Sequence, residues 1–216
     1  MRSESDVHNA GMQNCDSRRR PTPAGIIGTT IRGLTVAAVV VTSIAAARAA
    51  ELAGVTMPDS RVIDGTRLTL NGIGLRTYSI LGIKIYVAGL YLEHRSSNAD
   101  TILASPETKV LSIRFLRDVS AEDAHKSWRN GFANNCRPPE CSVDQQDVER
   151  FIARVPAVHD GDDSLIVFTE KGARLTINGQ LMGDITDPRF ARVLLRTFLG
   201  PAPPTARLKR ELLGQE

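Results

Sequence analysis

From Leu68 to Leu92 the chain runs through two apolar segments, Leu68 to Ile80 and Ile83 to Leu92, separated only by Leu81 and Gly82. A glycine closing so short a loop supplies the positive φ that a hairpin turn needs, so the segments read as antiparallel partners. With Ile80, Leu81 and Gly82 as the loop, Ser79 faces Ile83, and counting outward sets Arg76 opposite Tyr86 on one sheet face. An Arg inside apolar strands needs an anion. One source is internal, Glu93 or Asp118 across the sheet, because a buried Arg is normally paired. The other is a ligand carboxylate, accepted by the two-pronged guanidinium while the Tyr86 hydroxyl donates a further hydrogen bond.

The N-terminus reads as a leader. Arg18, Arg19, Arg20 and Arg32 precede Gly33 to Ala47, an uncharged and mostly apolar run, and Ala47, Arg48 and Ala49 form an A-x-A cleavage signal. The run is short for a bilayer span, although Ile26 to Ala47, interrupted only by Arg32, leaves open an uncleaved membrane anchor. Residues 1–50 are therefore assigned to a signal peptide and 51–216 to one domain, expected to be periplasmic or secreted with no membrane span after cleavage. Whether export runs through the general or the twin-arginine route stays open. The leader holds six Arg against Glu4, Asp6 and Asp16, which accounts for the whole net charge of +3. A mature domain close to neutral has no basic footprint for nucleic acid.

Export also bears on the cysteines. Cys15 belongs to the leader, leaving Cys136 and Cys141, which an oxidising compartment would join in a small ring. Free thiols or half of a metal site are the alternatives. His94, His125 and His159 are too scattered to complete a zinc site, so neither metal nor cofactor is expected.

Along the rest of the domain, Glu51 to Pro58 reads as a loose lead-in and Arg61 to Leu70 as a strand bent at Asp64 and Gly65. Asn98 to Ala104 reads as a short helix and Lys109 to Leu116 as a strand by alternation. Ser120 with Asp123, and Ser142 with Gln145, have capping-box spacing before amphipathic runs carrying Trp128 and Phe132, then Val148, Phe151, Ile152 and Val155. Strands follow at Ser164 to Thr169, Arg174 to Asn178 and Gln180 to Ile185, the last two joined by an Asn178-Gly179 turn. Asp187 and Pro188 open a helix closed by Gly200, and Pro204 to Leu213 forms a last one. Strands and helices in these blocks predict an α+β domain, an antiparallel sheet with helices packed on one side. Gly72-Ile73-Gly74 lacks the third glycine and the following helix of a phosphate loop, and reads instead as a place of close backbone approach. His159 to Asp163 reads as a solvated turn, Trp128 as core, and Arg117 as structural.

Three blocks resemble the chalcone isomerase-like family: Gly72, Gly74 and Arg76 leading to Gly89-Leu90-Tyr91-Leu92-Glu93; then Phe115-Leu116-Arg117-Asp118-Val119; then a helix ending at Leu199 and Gly200. They run in order over roughly two thirds of the chain. The resemblance implies an open-faced β-sandwich. It further implies that Arg76 holds a substrate oxygen, as in the plant enzymes that close a chalcone into a flavanone, or a carboxylate, as in fatty-acid-binding members. Tyr86 falls where the enzymes carry Thr and the fatty-acid binders carry Tyr. Ala191 falls where the enzymes place a hydroxyl on the C-terminal helix. Both departures favour a non-catalytic binder of a small hydrophobic carboxylate, with Arg76 and Tyr86 as the ligand-binding pair. An intramolecular lyase of the chalcone-flavanone type, and an envelope protein with a vestigial cleft, are the alternatives.

Overall fold

The computed structural model describes residues 49–79, 81–139 and 141–215. The leader expected at the N-terminus, apart from its last two residues, lies outside them. A seven-stranded antiparallel sheet runs in sequence order: β3 (Ser60–Ile63), β4 (Thr66–Tyr78), β5 (Ile83–Leu92), β6 (Lys109–Phe115), β7 (Asp163–Thr169), β8 (Gly172–Ile177) and β9 (Gln180–Ile185). A separate hairpin, β1 (Ala49–Leu52) with β2 (Val55–Pro58), precedes it. Five helices are interleaved or appended: α1 (Ala99–Ala104), α2 (Ala121–Asn135), α3 (Gln145–Ile152), α4 (Pro188–Leu199) and α5 (Ala206–Leu212). No helix among the described residues is long and apolar enough to cross a membrane.

Period-two alternation divides the strands between two cores. Ala88, Leu90, Leu111, Ile113 and Ile166 join Phe132, Phe151, Leu194, Phe198 and Leu208 of the helices in the larger one. Leu68, Leu70, Val87, Tyr91 and Val110 point the other way, onto Met57 of β2. The expected architecture is therefore present, with the helices on one side of the sheet. Trp128 packs within 5.2–6.3 Å of Phe132, Phe151 and Phe198, as a core residue does.

Three local expectations are corrected. Glu51 to Pro58 is no loose lead-in; it contributes to β1 and β2, and Met57 closes the far side of the sheet. Arg61 to Leu70 is a hairpin rather than one bent strand, because Asp64 and Gly65 both take positive φ, 49° and 82°, the geometry of a tight two-residue turn. Helix α3 is capped by Asp144, whose carboxylate accepts from the Gln146 N–H at 2.7 Å, rather than by Ser142. A carboxylate at that end also gains from the helix dipole. Ser120 caps α2 as expected, accepting from the Asp123 N–H. Cys136 and Cys141 are joined in a disulfide with Cα atoms 4.9 Å apart.

Candidate functional site

Arg76 and Tyr86 are cross-strand partners, but two irregularities that cancel bring them together. The loop is Ser79 to Gly82, one residue longer than expected, so Tyr78 rather than Ser79 faces Ile83. A bulge then leaves Ile85 without a partner, since Thr77 pairs with Lys84 and Arg76 with Tyr86. The bulge restores the register, and with it the face.

That face is the one the helices cover. Tyr86 packs its ring edge-on to Phe115 at 5.8 Å, and Gly74, two residues before Arg76, lies against Leu208 and Glu211 of α5. The C-terminal segment reaches this position because Gly72 and Gly74 admit it: a Cβ on Gly72 would lie 2.0 Å from the Glu211 carbonyl oxygen. Asn71, the extra residue of a second bulge between Leu70 and Gly72, fastens the same segment. Its amide donates to the carbonyls of Leu212 and Ser96, and its oxygen accepts from the Ser96 N–H. Beyond Leu70, whose N–H donates to the Asp59 carbonyl, strand β4 has no strand partner on the β3 side among the described residues, and there the Glu211 carboxylate accepts the Leu75 N–H at 2.9 Å.

The Arg76 guanidinium donates to the main-chain carbonyl of Pro204, just before α5. It forms no ion pair among the described residues. Glu93 instead accepts from the Thr108 N–H and Asp118 from the Asp160 N–H, so neither internal anion proposed from the sequence reaches it. Burial pushes the Tyr86 phenol up to about 12, against the smaller opposing pull of the Arg76 charge. The phenol therefore stays a neutral donor at any physiological pH, and its hydroxyl has no hydrogen-bond partner among the described residues.

What the pair can do chemically is hold an anionic oxygen. Of the five guanidinium N–H groups, the Pro204 carbonyl takes one side of the fork, leaving donors beside an uncommitted phenol. Hydroxyls for proton chemistry are scarce. Ala191 is buried on α4 without one, and the buried Thr197 hydroxyl on the same helix donates to the Leu194 carbonyl. Arg117 is exposed. The His159 to Asp163 segment is a turn closed by Asp162, whose carboxylate accepts the His159 N–H.

Residues 49–214 match the family described as chalcone isomerase-like. The chain belongs to this family. Among solved structures, the Arabidopsis thaliana fatty-acid binding protein is similar, with a TM-score of 0.64 at 14% identity over 77% of this chain and 96% of that one. At that identity the likeness speaks for a common fold. No curated protein matches the sequence significantly.

Sequence reasoning located both members of the pair but missed Asn71, Pro204 and Glu211, which set the pair's surroundings. The hydrogen bonds of Arg76 to Pro204, Leu75 to Glu211 and Asn71 to Leu212 span 128, 136 and 141 residues, too far for any local pattern. The Gly72-x-Gly74 spacing was the signal available: something had to pack against it.

Proposed function

We propose that this member of the family is an exported, non-catalytic binder of a small hydrophobic carboxylate such as a fatty acid, with Arg76 and Tyr86 as the anion clamp. The observation that carries the reading is a guanidinium with no carboxylate partner among the described residues, directly across the ladder from a phenol with no hydrogen-bond partner there. The fatty-acid binding activity of the structurally similar plant protein supports it, as does the lack of a hydroxyl at Ala191 for the isomerase alternative. Two cavities, of about 250 and 230 Å³, are both lined by other residues. In this reading the ligand tail enters the larger core beside Tyr86 and Phe115 when the Pro204 segment shifts, its carboxylate taking the place of the Pro204 carbonyl.

The test is native mass spectrometry of the exported protein, followed by melting with and without added fatty acids. A copurified carboxylate is expected, along with a melting temperature raised by fatty acid in the native chain and unmoved in Arg76→Ala. That variant should still melt cooperatively. Absence of both a ligand and a melting shift in the native protein removes the basis of the reading.

A further inference from the structure

Helix α4 carries a second group of arginines, on a face that has no part in the Arg76 site. Arg189, Arg192 and Arg196 recur at i, i+3 and i+7, which lines them along one side of a helix. Together with Leu103 of α1, Val193 of α4 and the Cys141-Ser142 end of the disulfide loop, they wall a cavity of about 250 Å³. No Asp or Glu lines it among the described residues.

Two of the three charges there have no carboxylate partner among the described residues. Arg189 is paired with Asp187, the carboxylate that caps its own helix, donating to both of its oxygens at 3.4 Å. Neither Arg192 nor Arg196 donates a side-chain hydrogen bond or forms an ion pair among the described residues. Arg196 is half-buried: its Nε is enclosed within the protein without a partner among the described residues, which leaves its terminal nitrogens as the donors a ligand could reach. A cation in the last turn of α4 does favour the helix dipole, but only Arg196 stands there, and the dipole supplies no acceptor for an enclosed N–H. Lys109 is not part of the cavity wall, and its Nζ donates to the Ser105 and Glu107 carbonyls. Burial lowers its pKa first of all and Arg192 pushes the same way, against Glu107 and Glu93. Those two acids are engaged elsewhere, Glu107 with His94 and Glu93 with the Thr108 N–H.

We infer that this cavity is a binding site for a phosphate ester, held by Arg192 and Arg196 with Arg189 at its mouth. Guanidinium forks match the oxygens of a phosphate two at a time, and several converging arginines suit a group with more than one charge better than a single carboxylate. Leu103 and Val193 offer an apolar wall to whatever carries the phosphate, and the Ser142 hydroxyl is close enough to line the site. The phosphate can belong to a soluble phosphorylated molecule or to a phospholipid headgroup, and these are separable by experiment.

The full exported chain is titrated with glycerol 3-phosphate, followed by melting temperature and by amide chemical shifts. It is separately sedimented with vesicles of phosphatidylcholine alone and with vesicles containing one third phosphatidic acid, whose headgroup is a phosphate monoester. Saturable binding to at least one of the phosphate probes is expected, with affinity reduced at least tenfold in Arg192→Gln, an exposed position whose change leaves the core untouched. Arg196→Lys keeps the charge but loses the fork, and should weaken binding as well. Arg76→Ala should bind the phosphate probes as the native chain does. Glycerol 3-phosphate binding identifies a soluble ligand, and sedimentation only with the anionic vesicles identifies a headgroup. No saturable binding to either probe, or equal binding in Arg192→Gln, overturns the site.

Discussion

The two faces of the central sheet each carry one arginine beside one tyrosine, and they resolve the same problem differently. On the face closed by the β1–β2 hairpin, Arg61 lies over the Tyr91 ring at 5.1 Å and donates to Ser112, while the Tyr91 hydroxyl donates to the Pro58 carbonyl at 3.0 Å. The Arg61 Nε is enclosed without a partner among the described residues. On the helix face, Arg76 has a single main-chain carbonyl and Tyr86 has no hydrogen-bond partner among the described residues. Apart from that one enclosed N–H, the first pair is tied to its neighbouring strand and hairpin. The second is unfinished, and what covers it is a C-terminal segment rather than a strand. An arginine in a strand is thus read by what its neighbours leave undone, since both pairs look alike in composition.

Glycines expose the same contrast most strongly. A Cβ on Gly72 would meet main-chain atoms of Glu211 and Leu212 at 2.0 and 2.7 Å, which cannot yield unless the whole segment moves. One on Gly89, on the other face, would meet the Met57 sulfur at 2.4 Å, the end of a flexible side chain. Gly72→Ala is expected to destabilise by roughly 3 kcal/mol and to expose the C-terminal segment to proteolysis, whereas Gly89→Ala should cost about 1 to 2 kcal/mol as overpacking usually does. Denaturant melts with limited proteolysis measure both. Equal costs would mean that the C-terminal segment is no more rigidly seated than a methionine tip.

The legible part of this molecule was whatever repeats locally. Alternation in Lys109 to Leu116, the Asn178-Gly179 turn and the Ser120 cap needed only neighbouring residues, and each stands close to where the pattern put it. The Arg76 to Tyr86 pairing was reached by a count that erred twice, once at Ser79 and once at Ile85, in opposite directions. The bulge at Ile85 leaves no mark in the sequence, because an isoleucine there fits a regular strand equally well. The covering of Arg76 by Pro204 was not legible at all: it depends on where α5 lands, which the two glycines of β4 permit but do not announce.

Alkaline pH offers a smaller effect that sorts the two tyrosines. An unfolded phenol ionises near pH 10, while burial holds Tyr86 protonated up to about 12. Between those values the unfolded chain loses a proton that the folded one keeps, so stability present below pH 10 falls as pH rises, by at most about 1.4 kcal/mol per unit. Tyr91 is also raised by burial, but its hydrogen bond with Arg61 and that residue's charge counteract the shift. Tyr86→Phe should therefore flatten the melting profile between pH 10 and 12 more than Tyr91→Phe does. The reverse order would place the drier phenol on the hairpin face.

The arginines themselves give the finest test, because the difference expected is about 1 kcal/mol. Arg61→Ala removes a desolvated contact with the Tyr91 face, worth up to about 2 kcal/mol, together with a hydrogen bond to the buried Ser112. Arg76→Ala removes one hydrogen bond to a carbonyl, for which about 1 kcal/mol is ordinary. Urea melts of the ligand-free chain should thus rank Arg61→Ala below Arg76→Ala in stability, while fatty-acid melting shifts survive in the first and vanish in the second. If Arg76→Ala proves the less stable, the Pro204 carbonyl is a fixed partner and Arg76 a clasp for the C-terminal segment. The two faces would then differ only in which part of the chain closes them.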